Sequence, residues 1–265
     1  MNPEWDADTY HRVSEPQAAW GHRVLGRLSL RGDERVIDLG CGSGRLTAQL
    51  AARVPNGAVI GLDRSSQMLL RARRHLRDSG YSRVHVVLAA LPAIPVRNWA
   101  DLAFSTATFH WVHDHEALFA NVFTALKPGG RLVAQCGGDG NLRSFHRLAL
   151  DVAFSGRFSR WFEPWSEPWE FADASTTRAR LNTAGFVEID AWLEDAPTPF
   201  PDVASFRDFV RTAVLRPMLA RLPDDAQREA YLTTVVQEAS HGQSPLVLDY
   251  RRLNLSARRP EEPAP

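Results

Sequence analysis

Val36-Ile37-Asp38-Leu39-Gly40-Cys41-Gly42-Ser43-Gly44-Arg45-Leu46-Thr47 is the stretch from which the fold can be read. Three apolar residues and an acid run into Gly-x-Gly-x-Gly, and an amphipathic segment follows at once. That order predicts a buried strand, a tight turn and a helix start, the geometry of a nucleotide-like site at a strand's carboxyl end. Gly40, Gly42 and Gly44 let the backbone turn sharply and approach a ligand where a Cβ would collide. Ser43 is expected to cap the helix that begins there. A second acid, Asp63, stands about one β-α-β unit further on.

Glycine spacing separates two readings of the turn. A dinucleotide site uses G-x-G-x-x-G, with the pyrophosphate on the helix N-terminus and no anion beside it. Here the spacing is G-x-G-x-G and Asp38 precedes it. A carboxylate beside the turn repels a pyrophosphate but suits a ligand that carries an ammonium and a sulfonium. This favours S-adenosylmethionine over NAD. The stretch resembles the first motif of the class I S-adenosylmethionine-dependent methyltransferases, hh-D-h-G-x-G-x-G.

Size and composition narrow the class. A chain of 265 residues is long enough for one generous domain, or one domain with an insertion. With 31 basic and 31 acidic residues the net charge is zero, so no footprint for nucleic acid is expected. Lys127 is the only lysine, a skew we read as genome composition. Cys41 and Cys136 are too few for a disulfide framework and are expected at the ends of buried strands. No basic-plus-apolar leader and no membrane-length apolar run is present, which predicts a soluble cytoplasmic protein, monomeric or weakly dimeric, with a small-molecule partner.

Taken in order, residues 1–20 are polar and aromatic, with Trp5, Tyr10 and Trp20 suggesting a docked segment. Residues 17–30 read as a helix with Val24, Leu25 and Leu28 on one face, and 43–54 as the helix after the turn. Ala58–Asp63 is a second buried strand, Ser65 or Ser66 caps a helix through 79, and Val84–Leu88 is a third strand. Ala100–Thr106 is a fourth strand, a helix follows to Leu126, and Arg131–Cys136 is a fifth strand. Strands alternating with helices imply right-handed crossovers and a parallel sheet covered on both faces. After Cys136 the period changes. Residues 141–155 read as a helix, 156–172 are crowded with aromatics and prolines, and Asp173 caps a helix ending at Gly185. Phe186–Leu193 is a strand, 202–241 one or two helices broken by Pro217 and Pro223, and Leu246–Leu255 the last strand.

The expected architecture is a Rossmann-like α/β fold with a seven-stranded, mostly parallel sheet and a helical, aromatic cap insertion. Its expected parts are an N-terminal helical cap segment (1–30), an α/β core that binds the cofactor (31–136), and a cap or lid insertion (137–184). A C-terminal completion of the sheet (185–256) and a frayed tail (257–265) follow.

The contacts expected at the site come partly from the residues and partly from the resemblance. Asp63 ends a strand where a carboxylate accepts from ribose hydroxyls, or simply favours the next helix dipole. Met68, one turn on, faces adenine or packs in the core, and Arg64 adjoins Asp63. After the third strand the family pattern resembles D-a-x-x-L-P, but here Ala90-Leu91-Pro92 stands in its place. The acid that reads the adenine amine is missing, which leaves the backbone of Ala90 and Leu91 and costs about one hydrogen bond.

Phe104-Ser105-Thr106-Ala107-Thr108-Phe109-His110-Trp111-Val112-His113-Asp114-His115 is the second informative stretch, at the end of the fourth strand. It resembles the F-x-W-V-x-D-H segment of trans-aconitate methyltransferase and related small-acid methyltransferases. Trp5-Asp6…Tyr10, Gln135 and Leu215-Arg216-Pro217 fit the same group. The resemblance implies methyl transfer to a small molecule, in that family a carboxylate oxygen. It also implies that the Thr106 carbonyl holds the cofactor's amino group and that Tyr10 closes over the methionine end, with Asp38, Gly40, Cys41, Gly42 and Gly44 lining the turn. His110 is read as a substrate ligand, a general base or packing against Trp111. The spacing of His110, His113 and His115 does not bring three rings to one point, so no metal is expected. Asp114 reads as a helix N-cap.

Carboxylate methylation is an in-line displacement by a group already nucleophilic at neutral pH, so positioning and water exclusion carry the chemistry. The aromatic segment 158–171 is a candidate lid. Trp161, Trp111 and the arginines Arg143, Arg147, Arg157 and Arg160 are candidate acceptor contacts, the arginines being equally readable as solvated surface. Six aromatics point to a roomy, apolar acceptor site or to a small core of the lid's own. The rival functions are O-, N- or C-methylation of a natural product with His110 as base, and a non-catalytic protein that binds the cofactor. Intact Asp38, Gly40, Gly42 and Asp63 argue against the last.

Overall fold

The structure, a computed structural model, describes residues 15–241 and 245–261. Trp5, Asp6 and Tyr10 lie outside the described residues. The described residues divide into two compact units: a sheet unit of residues 15–139, 169–194 and 252–261, and a helical unit of 140–168, 195–241 and 245–251.

The sheet unit is built from alternating strands and helices. Its elements begin with α1 (Glu15–Gly26), β1 (Arg35–Leu39), α2 (Arg45–Arg53), β2 (Ala58–Asp63), α3 (Ser66–Asp78) and β3 (His85–Leu88). Then come β4 (Ala100–Thr106), α4 (His115–Ala125) and β5 (Leu126–Gly137). Five of the strands run in the order β3-β2-β1-β4-β5, and each neighbouring pair is parallel. The direction of winding reverses between β1 and β4, which opens a crevice at their carboxyl ends. Side-chain alternation along β1 sorts the core: Val36 faces α1 and α2, packing with Val24, Leu25 and Leu50, whereas Ile37 and Leu39 face α4, packing with Leu118 and Phe119.

In the sheet unit, helix starts follow side-chain chemistry in three places. Ser65 Oγ accepts from Met68 N (3.3 Å), Asp114 Oδ1 from Ala117 N (2.8 Å) and Asp173 Oδ1 from Thr176 N (2.9 Å). Ser43 does not behave this way. The cap of α2 is Gly44 at φ +83° with no side-chain bond, because the turn stays left-handed through its third glycine. A Cβ at Gly44 would also come within 3.1 Å of Ala72 on α3.

The expected insertion at 137–184 divides between the units. Helix α5 (Arg143–Phe154) belongs to the helical unit, whereas α6 (Ala174–Thr183) and β6 (Val187–Asp195) return to the sheet unit. Leu181 and Phe186 enter the same core as Phe119 and Val122. Beyond β6 come β7 (Thr198–Pro199), α7 (Val203–Phe209), α8 (Arg216–Leu219) and α9 (Asp225–Ser240), then β8 (Val247–Leu248) and β9 (Arg251–Arg258). Pro217 sits in the first turn of α8, where a missing N–H costs nothing, so it opens a helix there. The expected strand at 246–255 is in fact two. Residue Asp249 leaves the ladder between them to accept from Ser144 N (2.7 Å) at the start of α5.

β9 pairs antiparallel with β5 from Gly137↔Arg252 to Arg131↔Arg258 and completes the seven-stranded order β3-β2-β1-β4-β5-β9-β6. The expected tail at 257–265 therefore begins too early. Ala257 and Arg258 lie in the strand, and the Arg259 guanidinium donates to the carbonyls of Leu126 (2.7 Å) and Phe123 (3.1 Å). Among the described residues no helix is long and apolar enough to cross a membrane.

Candidate functional site

The carboxyl ends of β1, β2 and β4 meet at the glycine turn. Gly40 N and Cys41 N both donate to the Leu62 carbonyl, at 2.8 and 2.9 Å, so the turn is laced to the end of β2. Asp63 then ties turn and helix together: Gly42 N donates to its Oδ2 (2.9 Å) and Ser65 N to its Oδ1 (2.9 Å). Each carboxylate oxygen keeps a further lone pair. Burial raises the Asp63 pKa, and the bonds from Ser65 and Gly42 oppose that rise.

Asp38 lies one layer deeper, only 3% exposed, with Thr47 Oγ1 donating to its Oδ2 (2.7 Å). Burial pushes its pKa up to about 7, the Thr47 bond works against that, and the neighbouring Asp63 adds to it. The same burial, with both acids close by, pushes the Cys41 thiol up, so it is a packing group. Cys136 is likewise buried and unpaired in β5.

The glycines of the turn do different work. A Cβ at Gly40 would stand 2.1 Å from Thr108 Oγ1, so this glycine makes room for protein. A Cβ at Gly42 would meet nothing within 4 Å, so the space in front of Gly42 is open to a ligand.

Thr108 was not singled out from the sequence. Ala107 adopts φ +53° at the end of β4 with its N–H on the Gln135 carbonyl (2.8 Å), which turns the chain back over the glycines. Thr108 Oγ1 then donates to the Thr106 carbonyl (2.9 Å) and lies 3.4 Å from the Gly40 carbonyl. Three oxygens thus converge where an ammonium can be received. A left-handed alanine at a strand end has no signature in sequence, so nothing marked Thr108 in advance.

The remaining residues divide. Met68 is buried at 3% exposure, already covered by protein, which is its packing role. Arg64 and Ala90 are exposed and Leu91 is half-buried. The chain around them is fixed by Ala89 N on the Asp63 carbonyl (2.9 Å) and Ala93 N on the Ala90 carbonyl (2.9 Å).

His110 lies in the single turn Phe109–Trp111. Its Nδ1 accepts from Gly137 N–H (3.2 Å), which leaves the ring hydrogen on Nε2 as a donor. The ring packs between Trp111 (5.5 Å) and Phe171 (5.9 Å, 26° between planes). His115 is buried on the other side of this turn, its Nε2 on the Phe109 carbonyl (3.0 Å) and its Nδ1 on Arg180 (3.3 Å). Burial lowers its pKa, which keeps the ring neutral for these bonds. His113 is exposed, so the three histidines do not converge. Among the described residues no group of three His, Cys, Asp or Glu side chains could hold a metal ion.

Arg143 and Trp161 belong to the helical unit, and so do Arg147, Arg157 and Arg160. Arg157 and Arg160 lie over their neighbouring rings, Phe158 (4.8 Å) and Trp161 (4.2 Å). The arrangement described above is drawn from sheet-unit residues. The six aromatics of 158–171 are shared out. Phe158 and Phe162 close on Tyr231 in the helical unit, whereas Trp169 and Phe171 stack beside His110 and Trp111 in the sheet unit.

Comparison with known proteins agrees with this geometry. A family model described as a methyltransferase domain matches residues 36–130. The trans-aconitate 2-methyltransferase of Methylobacterium nodulans is 34% identical over 97% of this chain and 98% of its own length. That of Streptomyces coelicolor is 33% identical over 98% of this chain and 88% of its own. Among solved structures, phosphoethanolamine N-methyltransferase 2 of Haemonchus contortus, with S-adenosylhomocysteine bound, superposes with a TM-score of 0.63. That match covers 96% of this chain and 57% of the other at 18% identity, a likeness of fold.

Proposed function

The chain belongs to the trans-aconitate 2-methyltransferase family of S-adenosylmethionine-dependent methyltransferases, and from that premise we propose that it methylates a carboxylate oxygen of a small organic acid. The observation that carries the reading is the Asp63 carboxylate, tied to Gly42 N–H at the open side of the turn and still able to accept from ribose hydroxyls. Bound there, S-adenosylmethionine supplies an electrophilic methyl group on a sulfonium.

The chain's own residues hold and orient. Asp63 receives the ribose, and Gly42 admits it by lacking a Cβ. The carbonyls of Gly40 and Thr106 receive the ammonium, and Asp38 lies beneath the turn, where a bound cation favours its ionised form over the protonated one that burial promotes. The adenine rests on the backbone of Ala90 and Leu91. Arg64 borders the ribose from solvent, and Cys41 shapes the turn.

A carboxylate acceptor needs no base, because it is ionised well below neutral pH. His110 suits that acceptor. Base catalysis would need an acceptor nitrogen, and Nδ1 already accepts from Gly137 N–H. That engagement counts against the rival in which His110 deprotonates a hydroxyl. Trp111 bounds the acceptor beside it. A reducing, cytoplasmic setting belongs to the same proposal, supported by two unpaired buried cysteines.

The test is product chemistry. Incubated with S-adenosylmethionine and a panel of carboxylic acids, the protein is expected to give base-labile methyl esters by mass spectrometry. Base-stable ethers or N-methyl products alone would overturn the reading.

A further inference from the structure

We infer that the sheet unit carries a second binding site, for a small anion bearing carboxylate or phosphate oxygens, in a cleft at the amino-terminal end of its parallel strands. The cleft has a volume of about 700 Å³, within the range that holds small molecules. Its walls come from Arg131 of β5, Ser256 and Arg258 of β9, Trp192 of β6 and Arg27 at the end of α1. Arg131 pairs with Leu102 at the start of the β4–β5 ladder, and Gln135 pairs with Thr106 at its carboxyl end. Four residues of strand, about 13 Å, therefore separate this cleft from the level of the glycine turn. The inference stands apart from the methyl-transfer reading.

Strand register brings two like charges together. Arg131 stands directly opposite Arg258 in the antiparallel β5–β9 ladder, and both line the cleft. Like charges facing each other on neighbouring strands are destabilising, and an anion between them turns that cost into a gain. Two guanidinium forks rooted about 5 Å apart can each offer paired N–H groups to carboxylate or phosphate oxygens. Ser256, half-buried two residues before Arg258, adds a hydroxyl to the same wall.

The acids of the cleft do not cancel this pair. Glu34 accepts from Arg31 N (2.6 Å) and Gly32 N (2.9 Å), one bond to each oxygen. Asp101 accepts from Lys127 Nζ (2.7 Å) on one oxygen and Arg35 N (2.8 Å) on the other. Arg27 is spent inward on Asn254 Oδ1 (2.6 Å) and lies over the Trp192 ring (5.0 Å). Glu261 and Glu188 meet Arg258 from the rim, at 3.1 and 4.0 Å, with most of their own side chains exposed. Exposed pairs of this kind are worth little. Among the described residues Arg131 has no carboxylate partner. Its guanidinium donates to the Ser29 carbonyl and keeps further N–H groups for a ligand.

The experiment titrates the full chain by calorimetry with inorganic phosphate and with citrate, at constant ionic strength and with S-adenosylhomocysteine saturating. Saturable binding of at least one, with Kd below about 1 mM, is expected. Binding of citrate alone assigns the site to polycarboxylates, and binding of phosphate alone to phosphate groups. Arg131→Gln and Arg258→Gln should each weaken that binding by about tenfold or more while leaving S-adenosylhomocysteine affinity unchanged. Should neither glutamine variant fold, Arg131→Lys keeps the charge and removes the fork, and it should weaken binding severalfold. No saturable binding of either anion would overturn the inference. So would anion binding that the substituted chains retain in full, since that would place the ligand elsewhere on the molecule.

Discussion

The glycine turn at 36–47 and the aromatic segment at 156–172 are both dense in unusual residues, yet they obey different rules. In the turn every contact is local or reaches one strand away: Asp63 meets Gly42 and Ser65, and Asp38 meets Thr47. Along the aromatic segment three rings are claimed by partners far off in the chain, Phe158 and Phe162 by Tyr231 and Phe171 by His110. The turn is specified by backbone geometry and hydrogen bonds. The rings are sorted mainly by packing, which uses the same residue types wherever they settle.

The contrast within the turn can be broken first with its glycines. Gly40→Ala forces a Cβ to 2.1 Å from Thr108 at φ +80°, and we expect about 3–5 kcal/mol of destabilisation in urea melts. Gly42→Ala meets no protein atom within 4 Å and should cost only about 1–2 kcal/mol of backbone strain, while cofactor affinity falls at least as far as in Gly40→Ala. Equal destabilisation by the two would mean that both glycines serve the fold alone.

A pH series sharpens the account of Asp38. Its folded pKa of about 7 lies above the ordinary 3.8, so the folded state holds a proton that the unfolded chain has released. Stability from this group is full below about pH 4 and is lost as pH rises to about 7, by up to about 4 kcal/mol. Thermal melts of ligand-free protein should show that slope, and Asp38→Asn should flatten it.

The other side of the comparison gives smaller effects. Tyr231 OH donates to the Ala149 carbonyl (2.7 Å) inside the helical unit. Tyr231→Phe should destabilise by about 1–2 kcal/mol and leave S-adenosylhomocysteine affinity unchanged by calorimetry. Thr108→Val removes the hydroxyl between the Thr106 and Gly40 carbonyls. It should weaken S-adenosylhomocysteine by about 1 kcal/mol and spare 5′-methylthioadenosine, which has no ammonium.

What was legible in the sequence follows the same division. Strand β1, its turn and α2 announce themselves because period and glycine punctuation are local signals, and Ser65, Asp114 and Asp173 cap where their chemistry says they should. Ser43 misleads because Gly44 takes the cap position in a left-handed conformation, a choice made by the fold of the turn. The insertion at 137–184 splits because Leu181 and Phe186 are claimed by the sheet's core, and no local pattern distinguishes that core from another. Strand β9 outruns its expected end because pairing with β5 carries Ala257 and Arg258, whose sequence is polar and tail-like. At the site the acids and glycines were readable. Thr108 was not, since its position depends on the backbone of Ala107.

Asp63, held by Gly42, is expected to grip the cofactor's ribose. A calorimetric titration of the wild-type chain and Asp63→Asn with S-adenosylhomocysteine, and with NAD as control, tests it most directly. Micromolar binding by the wild type, no binding of NAD, and a loss of about 1–3 kcal/mol in Asp63→Asn are the predicted results. Unchanged affinity in Asp63→Asn would contradict the assignment.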